Sequence, residues 1–293
     1  MSIINNAHPG SSVRLLCLID RILSQRDKPI QRKKLVELCR PESLPRSENG
    51  AARFESNLKF WIEEGLWAET DEGVEIINRK RALPERVLRL LIKNCSNEDL
   101  LNGNRGQPFL KFMACLLALP KYSFAGGVPT THKQGETDAD PIETVFKNAL
   151  PTEGYRFNRS NESSTFLDYA FFLGFIEPLD GFYIVDPTRA VQYFLDNVFD
   201  TKPAMGIADF LEKLGRHLPI VDGGEFREMV EADLRQYSPL ASHEVSSSLS
   251  HALLRLRASQ DIILTAKSDD PNARAFSDSD EPAFSEVRRR VAS

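Results

Sequence analysis

Two places in this 293-residue chain carry the same short syntax: a helix-patterned run closed by a glycine, then two strand-like runs around a turn. In the first, Phe54, Leu58, Trp61 and Ile62 lie on one helical face, Gly65 stops the helix, and Leu66–Glu69 and Val74–Ile77 flank Asp71-Glu72-Gly73. Glycine is favoured there because a helix commonly ends on a left-handed residue, and Asp/Gly turns suit tight hairpins. In the second, a helix over about Glu162 to Leu173 ends at Gly174, and Phe175–Glu177 and Phe182–Val185 flank Asp180-Gly181. Aligning Gly65 with Gly174 pairs Leu58 with Leu167 and Asp71 with Asp180. A one-residue deletion then pairs Gly73 with Gly181 and Ile76 with Ile184.

Helices precede each of these segments. Val13, Leu15, Leu16, Ile19 and Leu23 recur at helical spacing, with Ser11 or Ser12 placed as cap, and Asp27 to Pro29 break the pattern after Gln25. Leu35, Val36 and Leu38 mark a second short helix, and Pro41 to Gly50 read as a polar loop. Helices over Phe109 to Leu119 and Ile142 to Leu150 repeat the order. Each hairpin leads into another helix, about Leu83 to Asn94 and Thr188 to Val198. A third copy is expected from Ile207, with helices at Glu225 to Leu234 and His243 to Arg257, a strand at Ile262 to Ala266, a turn at Ser268 to Pro271 and a return strand at Ala273 to Phe276.

The first helices start near residues 12, 108 and 206, a nearly constant repeat. The pattern predicts a mainly α chain with small β-hairpins, built as three tandem winged helix-turn-helix units. The expected boundaries are 1–82 for the first unit, 83–107 for a helical connector and 108–200 for the second unit, with a mobile insertion at 123–140. The third unit spans 206–277 and a flexible tail 278–293.

Net charge conceals an asymmetry. The total is −5, yet residues 1–94 carry 17 basic and 13 acidic side chains, residues 95–200 carry 8 and 14, and residues 201–293 carry 12 and 15. Uniform coating of nucleic acid is excluded, whereas local contact by the first unit is not. A winged helix lays its third helix in the major groove, so cations gathered there and on flanking elements would meet phosphates. The candidates are Arg32, Lys33 and Lys34 on the second helix, Arg53 and Lys59 on the third, and Arg79, Lys80 and Arg81 after the hairpin. Arg156 and Arg159 precede the second unit's third helix, while Arg255, Lys267 and Arg274 belong to the third unit. Against contact stand Glu55, Glu63, Glu64, Glu69, Asp71, Glu72 and Glu75, with acidic tips on both hairpins. The polar run Arg156 to Thr165 also reads as a plain helix cap. Ser246–Ser248, His251, Arg255 and Arg257 would give the last helix a small, polar, modestly basic outer side.

Ten aromatics between Phe166 and Phe199 exceed the needs of one small helix face and imply an interface, either with a partner or between units of this chain. Cys17, Cys39, Cys95 and Cys115 are widely spaced and read as reduced packing residues, and no metal or cofactor site is expected. His243 and His251 are too far apart for a metal pair. Collagen, wholesale disorder and membrane spans are excluded, and no signal peptide is evident, so a cytoplasmic address is expected. Catalytic motifs are absent: Ser56 and Lys59 match S-x-x-K, and Asp200 and Lys202 form a D-x-K fragment downstream of Asp186, but neither has the accompanying context. No catalytic residue is assigned, and a cryptic nuclease is the residual enzymatic alternative.

The opening Met1-Ser2-Ile3-Ile4-Asn5, the helix at Val13 to Leu23 and the Trp61 to Ile77 helix-to-hairpin segment resemble DpdG proteins. These are accessory components of bacterial Dpd clusters, which place 7-deazaguanine derivatives in DNA and restrict unmodified DNA. The resemblance implies a non-enzymatic partner of helicase and nuclease components and transfers no site residue; duplex DNA is expected as a further partner from the basic first unit. The competing expectations are a pure protein adaptor that never touches DNA and a stand-alone transcription regulator.

Overall fold

The computed structural model describes residues 2–39, 48–95, 100, 107–120, 123–125, 141–151, 156–179, 182–235, 237–266, 270–277 and 279–290. Three helices, α1 (Val13–Ser24), α2 (Arg32–Cys39) and α3 (Glu48–Glu63), lead into a hairpin of β1 (Trp67–Thr70) and β2 (Gly73–Ile76). Ser12 caps α1, its hydroxyl accepting from Leu15 N at 3.3 Å. Gly65 carries φ +88°, the left-handed value that ends α3. The segment between α1 and α2 adds a third strand position, because Ile30 bridges Val74. Gly73 is obligatory at that contact: its φ is +129° and a Cβ would lie 2.4 Å from the Ile30 carbonyl.

The order then recurs. Connecting helix α4 (Leu83–Lys93) precedes α5 (Gln107–Ala118), β3 (Ser123–Ala125), α6 (Ile142–Ala149), α7 (Arg159–Leu173) and a hairpin of β4 (Ile176–Leu179) and β5 (Phe182–Val185). Here β3 pairs with β5, as Ile30 pairs with Val74 in the first segment. Register corrects the expected one-residue deletion. Trp67 opposes Ile76 and Thr70 opposes Gly73, while Ile176 opposes Val185 and Leu179 opposes Phe182. Both hairpins thus close over two residues, and Ile76 corresponds to Val185 rather than Ile184.

Helix α7 begins earlier than expected because Asn158 caps it, accepting from Asn161 N at 3.3 Å while Glu162 accepts from Asn158 N at 2.8 Å. The single helix expected over Thr188 to Val198 is two, α8 (Thr188–Gln192) and α9 (Leu195–Phe199). The break falls at Tyr193-Phe194, where the Phe194 ring is buried in the core.

The last segment departs furthest. β6 (Ala204–Gly206), α10 (Ile207–His217), α11 (Glu225–Asp233), β7 (Glu244–Val245) and α12 (Ser247–Ala258) lead to β8 (Ile262–Thr265), β9 (Ala275–Phe276) and β10 (Glu286–Arg289). The expected hairpin between Ile262–Ala266 and Ala273–Phe276 does not form. β8 instead pairs with β10, which also pairs with β6, and β9 runs parallel to β7. The tail expected to be flexible therefore supplies a central strand, held by Val287, which is fully buried between its neighbours. Likewise Ser123–Ala125, assigned to the mobile insertion, forms β3. Residues 126–140, most of the 41–50 loop, Asp180-Gly181 and Lys267 lie outside the described residues.

Among the described residues the chain is mainly helical with small sheets, and no helix is long and apolar enough to cross a membrane. The buried apolar side chains form one continuous cluster running through all three segments. At its centre lies α5, every residue of which is buried, including Gln107 and Lys111. Burial lowers the Lys111 pKa, with the Asp233 charge opposing. Around α5 pack α4, α6, α11 and α12, and Ser248 Oγ donates to Leu117 O at 2.8 Å. Phe109, Phe112, Phe146, Phe157, Phe166 and Phe175 form a connected set of edge and tilted ring contacts beside it. Of the aromatics between Phe166 and Phe199, Phe166, Tyr169, Phe175, Phe194 and Phe199 are buried and Phe172, Tyr183 and Tyr193 pack against the core, so most of the excess is packing within the chain. Tyr169 OH donates to Gly10 O, joining the second segment to the first.

The first segment has its own polar pin. Arg86 Nη2 donates to both Asp20 carboxylate oxygens at 2.8 and 2.7 Å, and Trp67 Nε1 donates to Asp20 Oδ1 at 3.0 Å. All three residues are buried, so α1, α4 and β1 are fixed by one carboxylate. Breaking a buried pair leaves an uncompensated charge, at a cost of about 3–5 kcal/mol. Asp20→Ala should lower the urea midpoint by an amount equivalent to that loss. Asp20→Leu combined with Arg86→Met should recover a large part of it, and a neutral effect of the single substitution would contradict the assigned role.

Candidate nucleic-acid interface

Each of the three segments has a helix immediately before its terminal strands, α3, α7 and α12, and they differ in what they leave exposed. On α3 the stripe Phe54, Leu58 and Trp61 is buried together with Asn57, whose Nδ2 donates to Pro9 O at 2.9 Å. Ala52, Arg53, Ser56, Lys59 and Glu63, three and four residues apart, occupy the opposite face and are exposed. Arg53 Nη2 reaches Asn6 O at 3.3 Å, and Lys59 Nζ lies 3.7 Å from Glu63.

Helix α7 exposes a stripe of different chemistry, Asn161, Ser164, Asp168 and Phe171. Glu162, Ser163, Thr165, Phe166, Leu167, Tyr169, Ala170 and Leu173 are buried, since α7 packs against α1, α4 and α6. Arg156 and Arg159 sit exposed at its start. Helix α12 is buried along Ser247–Ser250, Ala252, Leu253 and Leu256. The Ser246–Ser248 run expected to face outward is therefore inside. Ser246 Oγ and N donate to Asp222 at 2.6 and 2.7 Å, since hydroxyls at the start of a buried helix must find partners. Arg255 is bound to Asp186 rather than standing clear. Arg257 pairs with Glu281 at 2.9 Å, and Arg274 joins Phe284 through its backbone.

Around α3, several expected cations hold carboxylates. Arg32 donates Nε and Nη2 to Glu55 at 3.0 and 2.9 Å and Nη1 to Glu69 at 3.0 Å, tying α2 to α3 and β1. Burial alone would depress its pKa, but the hydrogen bonds and charges of Glu55 and Glu69 outweigh burial and raise it. Lys34 meets Glu37 at 2.9 Å, and that hydrogen bond holds the Glu37 carboxyl below its ordinary value. Lys33 is exposed. The hairpin tip is pinned from behind, as Gln31 Nε2 donates to the Asp71 and Glu72 carbonyls at 3.2 and 2.9 Å and leaves both carboxylates outward. Past the hairpin, Arg79 Nη1 donates to Arg26 O at 2.6 Å, Lys80 is exposed, and Arg81 pairs with Glu85 at 3.2 Å.

A family model described as DpdG-like matches residues 1–270. The chain belongs to the DpdG-like family. That membership associates it with the Dpd system of 7-deazaguanine DNA modification. No curated protein and no solved structure matches it.

Within this DpdG-like chain, the fragments that match catalytic motifs lie on different elements, Ser56 and Lys59 on α3, Asp186 just before α8 and Asp200 at the end of α9. Ser56 and Lys59 share the exposed face of α3, where Lys59 pairs with Glu63. Asp186 is buried and committed: its Oδ1 accepts from Thr188 N at 3.0 Å and from the Thr188 hydroxyl, and Oδ2 accepts from Arg255. Among the described residues no cluster of three or more His, Cys, Asp or Glu side chains could hold a metal. The four cysteines are free thiols. Burial pushes Cys39 up to about 11 and Cys115 up to about 12, so both are protonated and unreactive near neutral pH.

Sequence reading passed over the buried polar residues that organise the segments, Asp20, Arg86, Lys111 and Arg227. The detectable signal was ionic: a charged residue inside an otherwise apolar helical stripe, as Asp20 is in α1, calls for an interior partner. Asp186→Ala removes the acceptor shared by Thr188 and Arg255 and should cost about 1–3 kcal/mol in chemical denaturation. A change within error would show that Asp186 does not join α8 to α12.

Proposed function

We propose that this protein is a non-enzymatic subunit of a Dpd DNA-modification and restriction assembly, that its first two segments are winged helix-turn-helix units, and that it engages duplex DNA through α3. The winged-helix reading rests on a shared layout: three helices, a two-residue hairpin, and a third strand position between the first two helices, at Ile30 and at β3. The last segment is a divergent relative, since β10 and β6 replace the expected return strand.

One observation carries the DNA assignment: α3 bears Arg53, Ser56 and Lys59 along its exposed stripe, whereas the exposed stripe of α7 bears Asn161, Ser164, Asp168 and Phe171, and the cations of α12, Arg255 and Arg257, are held by Asp186 and Glu281. In the groove the α3 residues would meet phosphates and base edges, with Lys33 and Lys80 adding backbone contacts. Arg32 would serve indirectly, by neutralising Glu55 and Glu69 next to the groove-facing side. The acidic hairpin tip would stay out of the minor groove. The more acidic middle segment would offer a dock for helicase or nuclease partners, with Phe171 and Leu179 as its exposed apolar side chains. A cytoplasmic address fits that role.

A second reading is an adaptor that uses the same modules for protein contact alone. It is favoured by the carboxylates that already occupy Arg32, Lys34, Lys59 and Arg81.

Gel retardation of a short duplex across a salt series separates the two. Retardation at low salt is expected, and the combined Arg53→Ala and Lys59→Ala variant should weaken it and lower the slope of log K against log salt by about 2. Replacing Arg79, Lys80 and Arg81 together with Ala should weaken it further, whereas Arg216→Ala on α10 should not. Binding that survives both sets of substitutions would overturn the α3 assignment, and no retardation at any salt selects the adaptor.

A further inference from the structure

The middle segment carries a cavity that the α3 assignment leaves unused. It lies beside the ring cluster packed on α5 and has a volume of about 280 Å³. Phe112, Phe146 and Leu150 form its floor and are at most 6% exposed, whereas Phe157 and Pro151 are half-buried and keep apolar surface open to it. Phe157 meets Phe112 and Phe146 edge-on, with ring centres 5.1 and 4.9 Å apart, so packing fixes this wall before any ligand arrives.

The rim is charged. Glu143 and Lys147 stand one turn apart on α6, and Arg156 adds a second cation. Glutamate and lysine at that spacing commonly pair, yet among the described residues neither of these two makes a hydrogen bond or ion pair. An acceptor and a donor therefore stand uncommitted above an aromatic wall.

Volume and charge select the occupant. Drug-sized ligands fill roughly 300–1,000 Å³, so this cavity suits a single inserted side chain better than a free cofactor. Residues 95–200 carry 8 basic and 14 acidic side chains, a poor setting for a nucleic-acid strand. We propose that the cavity receives a tyrosine or tryptophan side chain of a partner protein. The ring lies against Phe157 and Pro151, its O–H or N–H donates to Glu143, and the Lys147 ammonium donates to a main-chain carbonyl beside it. Such residues anchor protein interfaces because one large apolar ring carries one polar group. The proposal rests on the reading of the middle segment as a partner dock and gives that dock its anchor point.

Saturation-transfer NMR of the full chain tests it with the N-acetyl amides of tryptophan, tyrosine and leucine, and with thymidine 5′-monophosphate. Transfer to the ring protons of the two aromatic amides is expected, well above that to the leucine methyls. Glu143→Ala should weaken their binding about fivefold. Phe157→Leu, which keeps apolar volume, should erase the preference for the aromatic probes, and Phe157→Tyr should retain it. The proposal is overturned if the aromatic amides gain no advantage over the leucine amide, if the nucleotide is preferred to both, or if Glu143→Ala and Phe157→Leu bind as the unsubstituted protein does. These probes carry no partner, so their failure removes the cavity and leaves the docking reading to be decided by co-purification of the chain with Dpd components.

Discussion

Helix α5 is buried on every side, and the architecture follows from that constraint. A helix apolar all round has no stable place at a surface, so its neighbours must enclose it. They come from different parts of the chain: α4 from the connector, α6 from its own segment, α11 and α12 from the last segment. Segments that read as beads in sequence therefore share one core. This arrangement explains why repeated units have unequal surfaces. Helix α12 is drawn inward against α5, α7 packs on α1, α4 and α6 and exposes Asn161, Ser164, Asp168 and Phe171, and α3 keeps an outer face bearing Arg53 and Lys59.

Short-range chemistry was the readable part of the fold. Gly65 and Gly174 adopt the left-handed conformation that ends a helix, Ser12 and Asn158 cap the helices that follow them, and both hairpins close over two residues. These features depend on residues a few positions apart. The pairing of β8 with β10 does not: Ala273–Phe276 has as much strand character as Glu286–Arg289, and only the tertiary fit of Val287 between β6 and β8 decides the partner. Phe194 likewise breaks a helix whose local pattern favours continuity, because its ring packs in the core under the Arg89 guanidinium, 4.3 Å from the ring centre.

The candidate interface was legible in composition but not in accessibility. Counting charge by segment separated the basic first segment from the acidic remainder, and Arg53 and Lys59 do share an exposed face. Sequence could not tell that Arg32 would be enclosed by Glu55 and Glu69, since those residues lie 23 and 37 positions away. Nor could it tell that Ser246–Ser248 would be buried. A small polar run looks the same whether it faces water or satisfies a buried carboxylate such as Asp222. Membership of the DpdG-like family gives the chain its setting.

The central claim is that one face of one helix meets DNA while its two counterparts are structural. Amide hydrogen exchange of the full chain, with and without a saturating short duplex at low salt, addresses it directly. The account predicts added protection within Glu48–Glu63 and across residues 78–81, with unchanged exchange in Arg159–Leu173 and Ser247–Ala258. Protection concentrated in either of the latter two helices, with Glu48–Glu63 unaffected, would contradict it.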